Sequence, residues 1–262
     1  MKRGFAPVHG VALALGLVFL YAPIVLLAVY SFNESRLATL WGGWSLRWYR
    51  GLPENRALIE AAWTSLRIGI AAATLATAVG TLTGIALDRL GRFAGRWALG
   101  GLVALPLVLP EAILGLALLL TFIALGIERG QGTVILAHAV LAVGYVALVV
   151  QARLALIDPR LEEAARDLGC PPLKTLAVGP VPLLWPAIMA GWLLALVLSL
   201  DDLVLASFAS GPGSTTLPMR IFSQARLGVT PEINAIATLL IGVVAATVLL
   251  ASVLIKGTAG RR

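Results

Sequence analysis

Charged residues are scarce in this chain: they make up 13% of its 262 residues, whereas hydrophobic residues make up 59%. Soluble globular domains carry about 25% charged and 45–50% apolar residues. The composition therefore excludes an ordinary cytosolic enzyme. Mean hydropathy is +0.94, and the apolar residues form long blocks rather than an alternating or amphipathic pattern. This indicates an integral, all-helical membrane protein.

Residues that bind metals or break bonds are also few. The one cysteine, Cys170, permits neither an internal disulfide nor a multi-cysteine metal site. His138 has no second histidine or cysteine nearby, so we expect a hydrogen-bonded structural role for it and no metal. No lysine lies in the Gly-x4-Gly-Lys frame of a phosphate-binding loop, and no Gly-x-Ser-x-Gly elbow is present. We therefore expect no catalytic residue, metal or cofactor in this chain.

Six apolar blocks are long enough to cross the hydrocarbon core, which takes roughly 20 residues. They cover residues 11–30, 63–87, 97–125, 133–157, 186–209 and 233–255. The third block contains Pro106 and Pro110, which interrupt helices. In the second block, Gly80 and Gly84 form a small-x3-small pair that favours close helix packing. We predict one transmembrane domain over residues 1–262, with six transmembrane helices.

Lysine and arginine set the predicted orientation. If the N-terminus is cytoplasmic, 12 of the 20 Lys and Arg residues lie on the cytoplasmic side. The positive-inside rule then favours cytoplasmic N- and C-termini, and it explains the net charge of +7 without a nucleic-acid partner. In this orientation the loop 158–182 is cytoplasmic and the loop 210–232 lies on the opposite side.

A short helix with defined ends is predicted in the cytoplasmic loop. Asp158 can cap its first amides, Pro159 suits its first turn, and Gly169 can take the left-handed conformation that ends a helix. Its apolar side chains recur at helical spacing and form one small face: Leu161, Ala164, Ala165 and Leu168. This face either packs against the protein's own helices or docks into a groove of another protein.

Three carboxylates lie near the middle of predicted spans: Glu111 in the third, and Asp201 and Asp202 in the fifth. A carboxylate at the bilayer centre costs about 2.5–3.5 kcal/mol on the insertion scale, and these two spans contain no Lys or Arg to pair with it. One interpretation is a path for a cationic substrate. The other is that the carboxyl groups are protonated, or hydrogen-bonded to Ser, Thr or the amides freed beside Pro106 and Pro110.

Two aromatic side chains are candidates for the same path. In a continuous helix Phe208 follows Asp201 by seven residues and Trp192 precedes it by nine, so both lie near the face of Asp201. Cation–π contact with a substrate is the functional interpretation, and helix packing is the other. Asp202 is turned by about 100° from Asp201, so we expect one of the two carboxylates to face the path at a time.

The residues Glu163-Ala164-Ala165, followed after three residues by Gly169, resemble the EAA motif of ABC-importer permeases. The second half of the motif departs from the family's Ile-x-Leu-Pro, because this chain has Gly179-Pro180-Val181-Pro182. Further segments resemble the polyamine-type members of the family: residues 21–23, 30–33, 44–49, 199–204, 211–219 and 231–235.

The resemblance implies the fold of a type I ABC importer permease and a location in the bacterial inner membrane, with the loop 210–232 in the periplasm. It identifies a coupling helix that sits in a cleft of an ATP-binding subunit. To this role we assign Glu162, Glu163, Ala164, Ala165, Asp167, Leu168 and Gly169. Besides membrane lipid, the implied partners are a homologous second permease subunit, two ATP-binding subunits and a periplasmic polyamine-binding protein. ATP and Mg would bind to the ATP-binding subunits.

We therefore expect a permease subunit of an ATP-driven importer of a polyamine, with putrescine as the expected substrate. The expected substrate-pathway residues are Glu111, Asp201, Asp202, Phe208 and Trp192. Two alternatives stay open: an importer of another small cationic or organic solute, and a cation-coupled secondary carrier that uses the carboxylates as a relay. Dependence of uptake on ATP separates an importer from such a carrier.

Overall fold

The computed structural model describes residues 7–36, 40–171, 174–176, 179–226 and 231–259, and over these ranges the fold is helical with no β-strand. The helices are α1 (Pro7–Tyr30), α2 (Arg47–Gly51), α3 (Arg56–Arg89), α4 (Arg96–Val108), α5 (Glu111–Ala124), α6 (Gln131–Leu154), α7 (Arg160–Asp167), α8 (Pro180–Asp201), α9 (Val204–Ala209), α10 (Leu217–Ala225) and α11 (Pro231–Ala259). Some residues used in the sequence analysis lie outside the described ones: Lys2, Arg3, Arg261 and Arg262 of the orientation argument, and residues 172–173 and 177–178 of the loop 158–182.

Among the described residues, five helical segments are long and apolar enough to cross a membrane. They are His9–Tyr30, Arg56–Arg89, Gln131–Leu154, Pro180–Asp201 and Pro231–Leu249. This confirms the predicted all-α membrane architecture. The count of six spans stays a prediction, because two shorter apolar helices, α4 and α5, occupy the third predicted span.

The break in the third predicted span occurs at Pro110 and not at Pro106. Pro106 lies inside α4, which continues to Val108. Leu109 is extended, with φ −72° and ψ 137°, because a following proline disfavours the helical conformation. A new helix, α5, begins directly after Pro110.

The predicted fifth span, residues 186–209, is wrong as a continuous helix. The helix α8 starts earlier, at Pro180, and ends at Asp201. Asp202 is extended, with φ −66° and ψ 127°, and the separate short helix α9 follows. No proline or glycine lies at this break, so its cause is in the tertiary contacts of Asp202 described below.

The predicted loop 210–232 is not wholly irregular. It contains the helix α10, whose first residue, Leu217, is buried. The backbone N–H of Leu217 donates a 2.7 Å hydrogen bond to Oγ of Ser65 on α3. Residues 227–230 of this loop lie outside the described ranges.

The chain divides into two compact units, of which the first comprises Met1–Ile59 and Ile221–Val253. Asn33 is fully buried there. Its side chain donates to the carbonyl of Leu40 at 2.7 Å and accepts from the amide of Gly42 at 2.8 Å. Nδ2 of Asn55 donates to Oε1 of Glu232 at 2.8 Å, which joins the segment before α3 to the start of α11.

The second unit comprises Glu60–Arg220 and Leu254–Arg262, and small residues set its helix packing. A Cβ on Gly80 would lie 2.7 Å from Cβ of Val146, and one on Gly84 would lie 3.1 Å from Cβ of Val150. The two glycines therefore allow α3 to approach α6 closely, which confirms their predicted packing role. The helices α5 and α9 pack on α6 in a buried core: Leu114, Phe122, Val134, Ala137, Leu141, Leu205, Ala206 and Ala209.

Candidate functional site

The carboxylates singled out from the sequence stand at the two helix breaks. Glu111 is exposed in the first turn of α5, directly after the break at Pro110. Asp201 is exposed and is the last residue of α8, directly before the second break. Asp201 is next to Asp202 in the chain, and Glu111 is close enough to Asp201 to interact with it electrostatically. In membranes, irregular backbone is tolerated where it is buried in protein or lines a cavity.

Asp202 has different surroundings from Asp201, because its side chain is only 3% exposed. Its Oδ1 accepts a 2.9 Å hydrogen bond from the backbone N–H of Ala206 in the first turn of α9. The same oxygen lies 3.6 Å from Nε2 of His138 on α6. Asp202 thus satisfies an amide at the start of α9, as carboxylates do at helix N-termini, and it fixes the second break.

His138 is buried, and its Nδ1 lies 2.6 Å from Oγ of Ser199 on α8. This confirms the predicted structural, hydrogen-bonded histidine. The group of His138, Ser199 and Asp202 joins α6 to both sides of the break. It therefore determines where α8 ends and where the exposed side chain of Asp201 stands.

The expected placement of Phe208 beside Asp201 depended on a continuous helix, and this premise is wrong because α8 ends at Asp201. Phe208 lies on α9, beyond the break, and packs against α5: a Cβ on Gly115 would lie 2.5 Å from Cδ2 of Phe208. Gly115 is one turn after Glu111, so Phe208 lies on the α5 side of the site. Trp192 stays on α8, where its indole N–H donates to Oγ1 of Thr74 at 3.1 Å.

Two carboxyl groups of the site are exposed and have no arginine or lysine partner among the described residues. In the part of the chain that the structure describes, neither Glu111 nor Asp201 forms an ion pair with a basic side chain. Two exposed carboxylates within electrostatic range of each other can bind a cation or share a diamine between them.

The helix predicted in the cytoplasmic loop is present as α7. Oδ1 of Asp158 accepts a 3.0 Å hydrogen bond from the amide of Arg160, and Gly169 ends the helix with φ +83°. Both predicted helix boundaries are therefore confirmed. The apolar face is largely exposed, since Leu161 is 53% and Leu168 is 90% exposed. Within the part of the chain that the structure describes, at least half of the surface of each of these two leucines is left exposed.

The residues assigned to the coupling helix do not share one environment. Glu163, Ala164, Asp167, Leu168 and Gly169 are exposed and Ala165 is half-buried. Glu162 is buried, and its Oε1 lies 2.9 Å from Nε of Arg89 at the end of α3. The ion-pair partner of Glu162 thus lies in its own chain, whereas the assignment of Glu162 to the coupling helix stays a prediction.

Sequence reasoning missed three residues of this region. Arg89 entered only within the count of basic residues on the cytoplasmic side, Ser199 only as part of a motif, and Gly115 not at all. Their roles depend on contacts with residues far along the chain, for which the local sequence carries no signal. The resemblance of residues 199–204 to a family segment was the single signal in the sequence that pointed to a role for Ser199.

The fold is that of the membrane-embedded chains of bacterial ABC importers. It matches a chain of a bacterial ABC transporter involved in the import of the acidic polysaccharide alginate, with a TM-score of 0.69 at 16% identity over 94% of both chains. It also matches a chain of the MetNI methionine ABC transporter in inward-facing conformations, with a TM-score of 0.66 at 19% identity, covering 79% of this chain and 98% of that one. At these identities the likeness establishes the fold alone.

The chain belongs to the family of binding-protein-dependent transport system inner membrane components, which matches residues 76–258. It is 50% identical over 245 residues to the putrescine transport system permease protein PotI of Escherichia coli K12, covering 91% of this chain and 87% of the relative. It is 42% identical over 238 residues to the spermidine/putrescine transport system permease protein PotC of Haemophilus influenzae, covering 91% of this chain and 92% of the relative. The recognition of a polyamine-type permease in the sequence is thereby confirmed.

Proposed function

We propose that this chain is the permease subunit of an ATP-driven importer that moves putrescine across the bacterial inner membrane. The observation that carries the proposal is the pair of exposed carboxylates, Glu111 and Asp201, at two helix breaks within apolar helices. Putrescine carries two ammonium groups, and their desolvation is costly unless negative charge compensates for it. The 50% identity to a putrescine permease supports the same substrate.

In this proposal the neighbouring aspartates have different tasks. Asp201 and Glu111 bind the ammonium groups, whereas Asp202 holds the break through its bond to the amide of Ala206. Phe208 and Trp192 form aromatic walls of the pathway, and Phe208 stands on the side of Glu111. Cation–π contact contributes about 0.5–2 kcal/mol to binding of an ammonium group at such rings.

ATP hydrolysis takes place on separate subunits in this account. The helix α7 presents Leu161, Ala164 and Leu168 to a cleft of an ATP-binding subunit, and the exposure of this apolar face supports the assignment. ATP and Mg bind to those subunits. When the two ATP-binding subunits close, α7 moves and the transmembrane helices change from the inward-facing to the outward-facing state.

The full transporter contains a homologous second permease, two ATP-binding subunits and a periplasmic polyamine-binding protein. The N- and C-termini of this chain lie in the cytoplasm, as the distribution of Lys and Arg favours. The binding protein delivers putrescine to the periplasmic face, and the loop 210–232 contributes to that face.

The test is uptake of labelled putrescine in the native host, with and without this gene. The proposal predicts loss of uptake on deletion, restoration by the intact gene, and loss again when cellular ATP is depleted while the proton gradient is maintained. Competition with unlabelled spermidine measures selectivity between the two polyamines. Unchanged putrescine uptake after deletion would contradict the substrate. Uptake that persists without ATP would instead support the cation-coupled carrier.

A further inference from the structure

One charged side chain of α7 is buried although the other charged side chains of this helix are exposed. Glu162 is 5% exposed, whereas Leu161 on the same helix is 53% exposed and Leu168, directly after the helix, is 90% exposed. A surface helix of a globular protein buries its apolar face and exposes its charged face. The burial of Glu162 therefore needs a partner inside the chain, because a buried carboxylate is stable only when it is paired.

Arg89, the last residue of α3, supplies that partner and joins three helices. Its Nε lies 2.9 Å from Oε1 of Glu162. Its Nη2 donates to the carbonyls of Leu154 at 3.1 Å and Ile157 at 3.0 Å, at and just beyond the end of α6, where helical carbonyls lack partners. Its Nη1 lies 3.1 Å from a carboxylate oxygen of Asp88.

The contacts of Arg89 suit a guanidinium group, which combines a charge with hydrogen-bond donors. Nη2 of Arg89 donates to both carbonyls, while the charge of the same planar group lies beside the carboxylate of Glu162. A lysine ammonium is a single point on a flexible stem, so it can replace the charge but not the set of directions. The Arg89 side chain is 11% exposed and that of Glu162 is 6% exposed, so water competes little for these bonds.

We infer that Arg89 and Glu162 are positioning residues that fix α7 to the ends of α3 and α6 as one rigid body. The inference rests on the proposed coupling function and deepens it: Glu162 anchors the coupling helix to its own subunit, while the exposed face of α7 is left for the ATP-binding subunit. A displacement of α7 then moves both spans together and does not merely bend the loop that carries it.

Close packing continues this rigid connection toward the candidate pathway. The helix α3 lies against α6 through Gly80 and Gly84, and Val146 of α6 also contacts Gly191 of α8, where a Cβ would lie 3.2 Å from Cγ1 of the valine. Close-packed interiors have low compressibility and transmit displacement. The helix α8 ends at Asp201. A displacement of Arg89 and Glu162 is therefore transmitted through packed helices to the carboxylate of Asp201.

The test uses the complete transporter reconstituted in proteoliposomes with its binding protein, and it measures putrescine uptake and ATP hydrolysis in the same preparation. Glu162→Ala removes the ion pair and the side chain, Glu162→Gln removes the charge but keeps a polar side chain of the same size, and Arg89→Lys keeps the charge without the planar guanidinium group. Arg92→Ala is the control, because Arg92 is exposed in the loop directly after α3.

We expect Glu162→Ala to assemble and hydrolyse ATP but to transport about tenfold less putrescine per ATP, a typical size for a coupling effect. Glu162→Gln should recover part of this ratio, Arg89→Lys should resemble Glu162→Ala, and Arg92→Ala should match the unaltered complex. An unaltered ratio in Glu162→Ala would overturn the inference. So would a parallel loss of assembly, hydrolysis and transport, since a merely structural role predicts that result.

A distance measurement tests the anchor independently of the substrate. Spin labels at Leu90→Cys and Arg166→Cys, in a Cys170→Ser background, report the separation of α7 from the end of α3 in the complete complex. Glu162→Ala should lengthen and broaden the distance distribution, and an unchanged distribution would contradict the anchor. If the unaltered complex takes up no putrescine, the proposed substrate is wrong, and the spin labels still decide the role of Arg89 and Glu162.

Discussion

The backbone N–H of Ala206 donates a 2.9 Å hydrogen bond to Oδ1 of Asp202, while the adjacent residue, Asp201, is exposed at the end of α8. One carboxylate of the pair is therefore used for structure and the other remains available for a ligand. This division separates effects on stability from effects on transport at two neighbouring positions.

Substitutions of Asp202 should lower stability, whereas Asp201→Asn should leave it unchanged. Asp202→Ala removes the cap of α9 and leaves the amide of Ala206 without its acceptor, at a cost of about 0.5–2 kcal/mol. Asp202→Asn should cost less, because asparagine caps helices about as well as aspartate. The thermal midpoint of the purified complex in detergent checks this order. Equal loss of stability in Asp201→Asn and Asp202→Ala would contradict the division.

Gly115→Ala should displace α9 from α5. The added Cβ would lie 2.5 Å from Cδ2 of Phe208, and overpacking of this kind costs about 1–3 kcal/mol. Combining it with Phe208→Ala should relieve the clash, so that the double variant is more stable than the sum of the single effects predicts. Thermal unfolding measures this coupling.

Gly100→Ala on α4 is the matched control for the double-mutant cycle of Gly115→Ala and Phe208→Ala. No heavy atom lies within 4 Å of a Cβ at Gly100. We expect Gly100→Ala to be neutral or slightly stabilising, since alanine favours helix more than glycine does. If the effects of Gly115→Ala and Phe208→Ala on stability are additive, the two residues are not in contact.

Leu168→Asp should weaken binding of the ATP-binding subunits without unfolding the permease. The side chain is 90% exposed, so the substitution removes no internal contact, but it introduces a charge into the proposed docking face. Copurification of the ATP-binding subunits with the tagged permease measures the effect, and Leu168→Met is the control that keeps an apolar side chain. If the Leu168→Asp permease copurifies with the ATP-binding subunits as well as the unaltered permease does, Leu168 is not part of the docking face.

The single cysteine provides a test of orientation in the unaltered sequence. Cys170 directly follows Gly169 at the end of α7 and is partly exposed. If the loop is cytoplasmic, a membrane-impermeant maleimide should label Cys170 in inside-out vesicles and not in spheroplasts. Glu128→Cys in a Cys170→Ser background should show the opposite pattern. Labelling of Cys170 from outside would reverse the predicted topology.

The parts of the fold that local chemistry determines were predictable from the sequence. Asp158 and Gly169 determine the ends of α7 through a cap and a left-handed residue, and both act on their own helix. The break at Pro110 follows from the conformational restriction that proline imposes on the preceding residue. Blocks of about 20 apolar residues likewise predict membrane-spanning helices without reference to any neighbour.

The parts that depend on distant contacts were not predictable in the same way. The sequence around Asp202 contains no proline or glycine, and the helix breaks there because the side chain caps Ala206 beside His138. The inward direction of Glu162 depends on Arg89, on a different helix. Helical spacing alone placed Phe208 on the face of Asp201, and the break moved it to the side of Glu111.

The most direct test of the central claim is ATP-dependent uptake of labelled putrescine by the reconstituted transporter carrying Asp201→Asn, Glu111→Gln, or both. Each single variant removes one charge from the pathway, so we expect at least about a tenfold loss of uptake, in line with the cost of an unpaired ammonium group, with assembly preserved. Glu128→Gln, an exposed acid outside the site, should transport normally. Normal putrescine uptake by the double variant would contradict the carboxylate pathway and with it the assignment of a cationic substrate to this site.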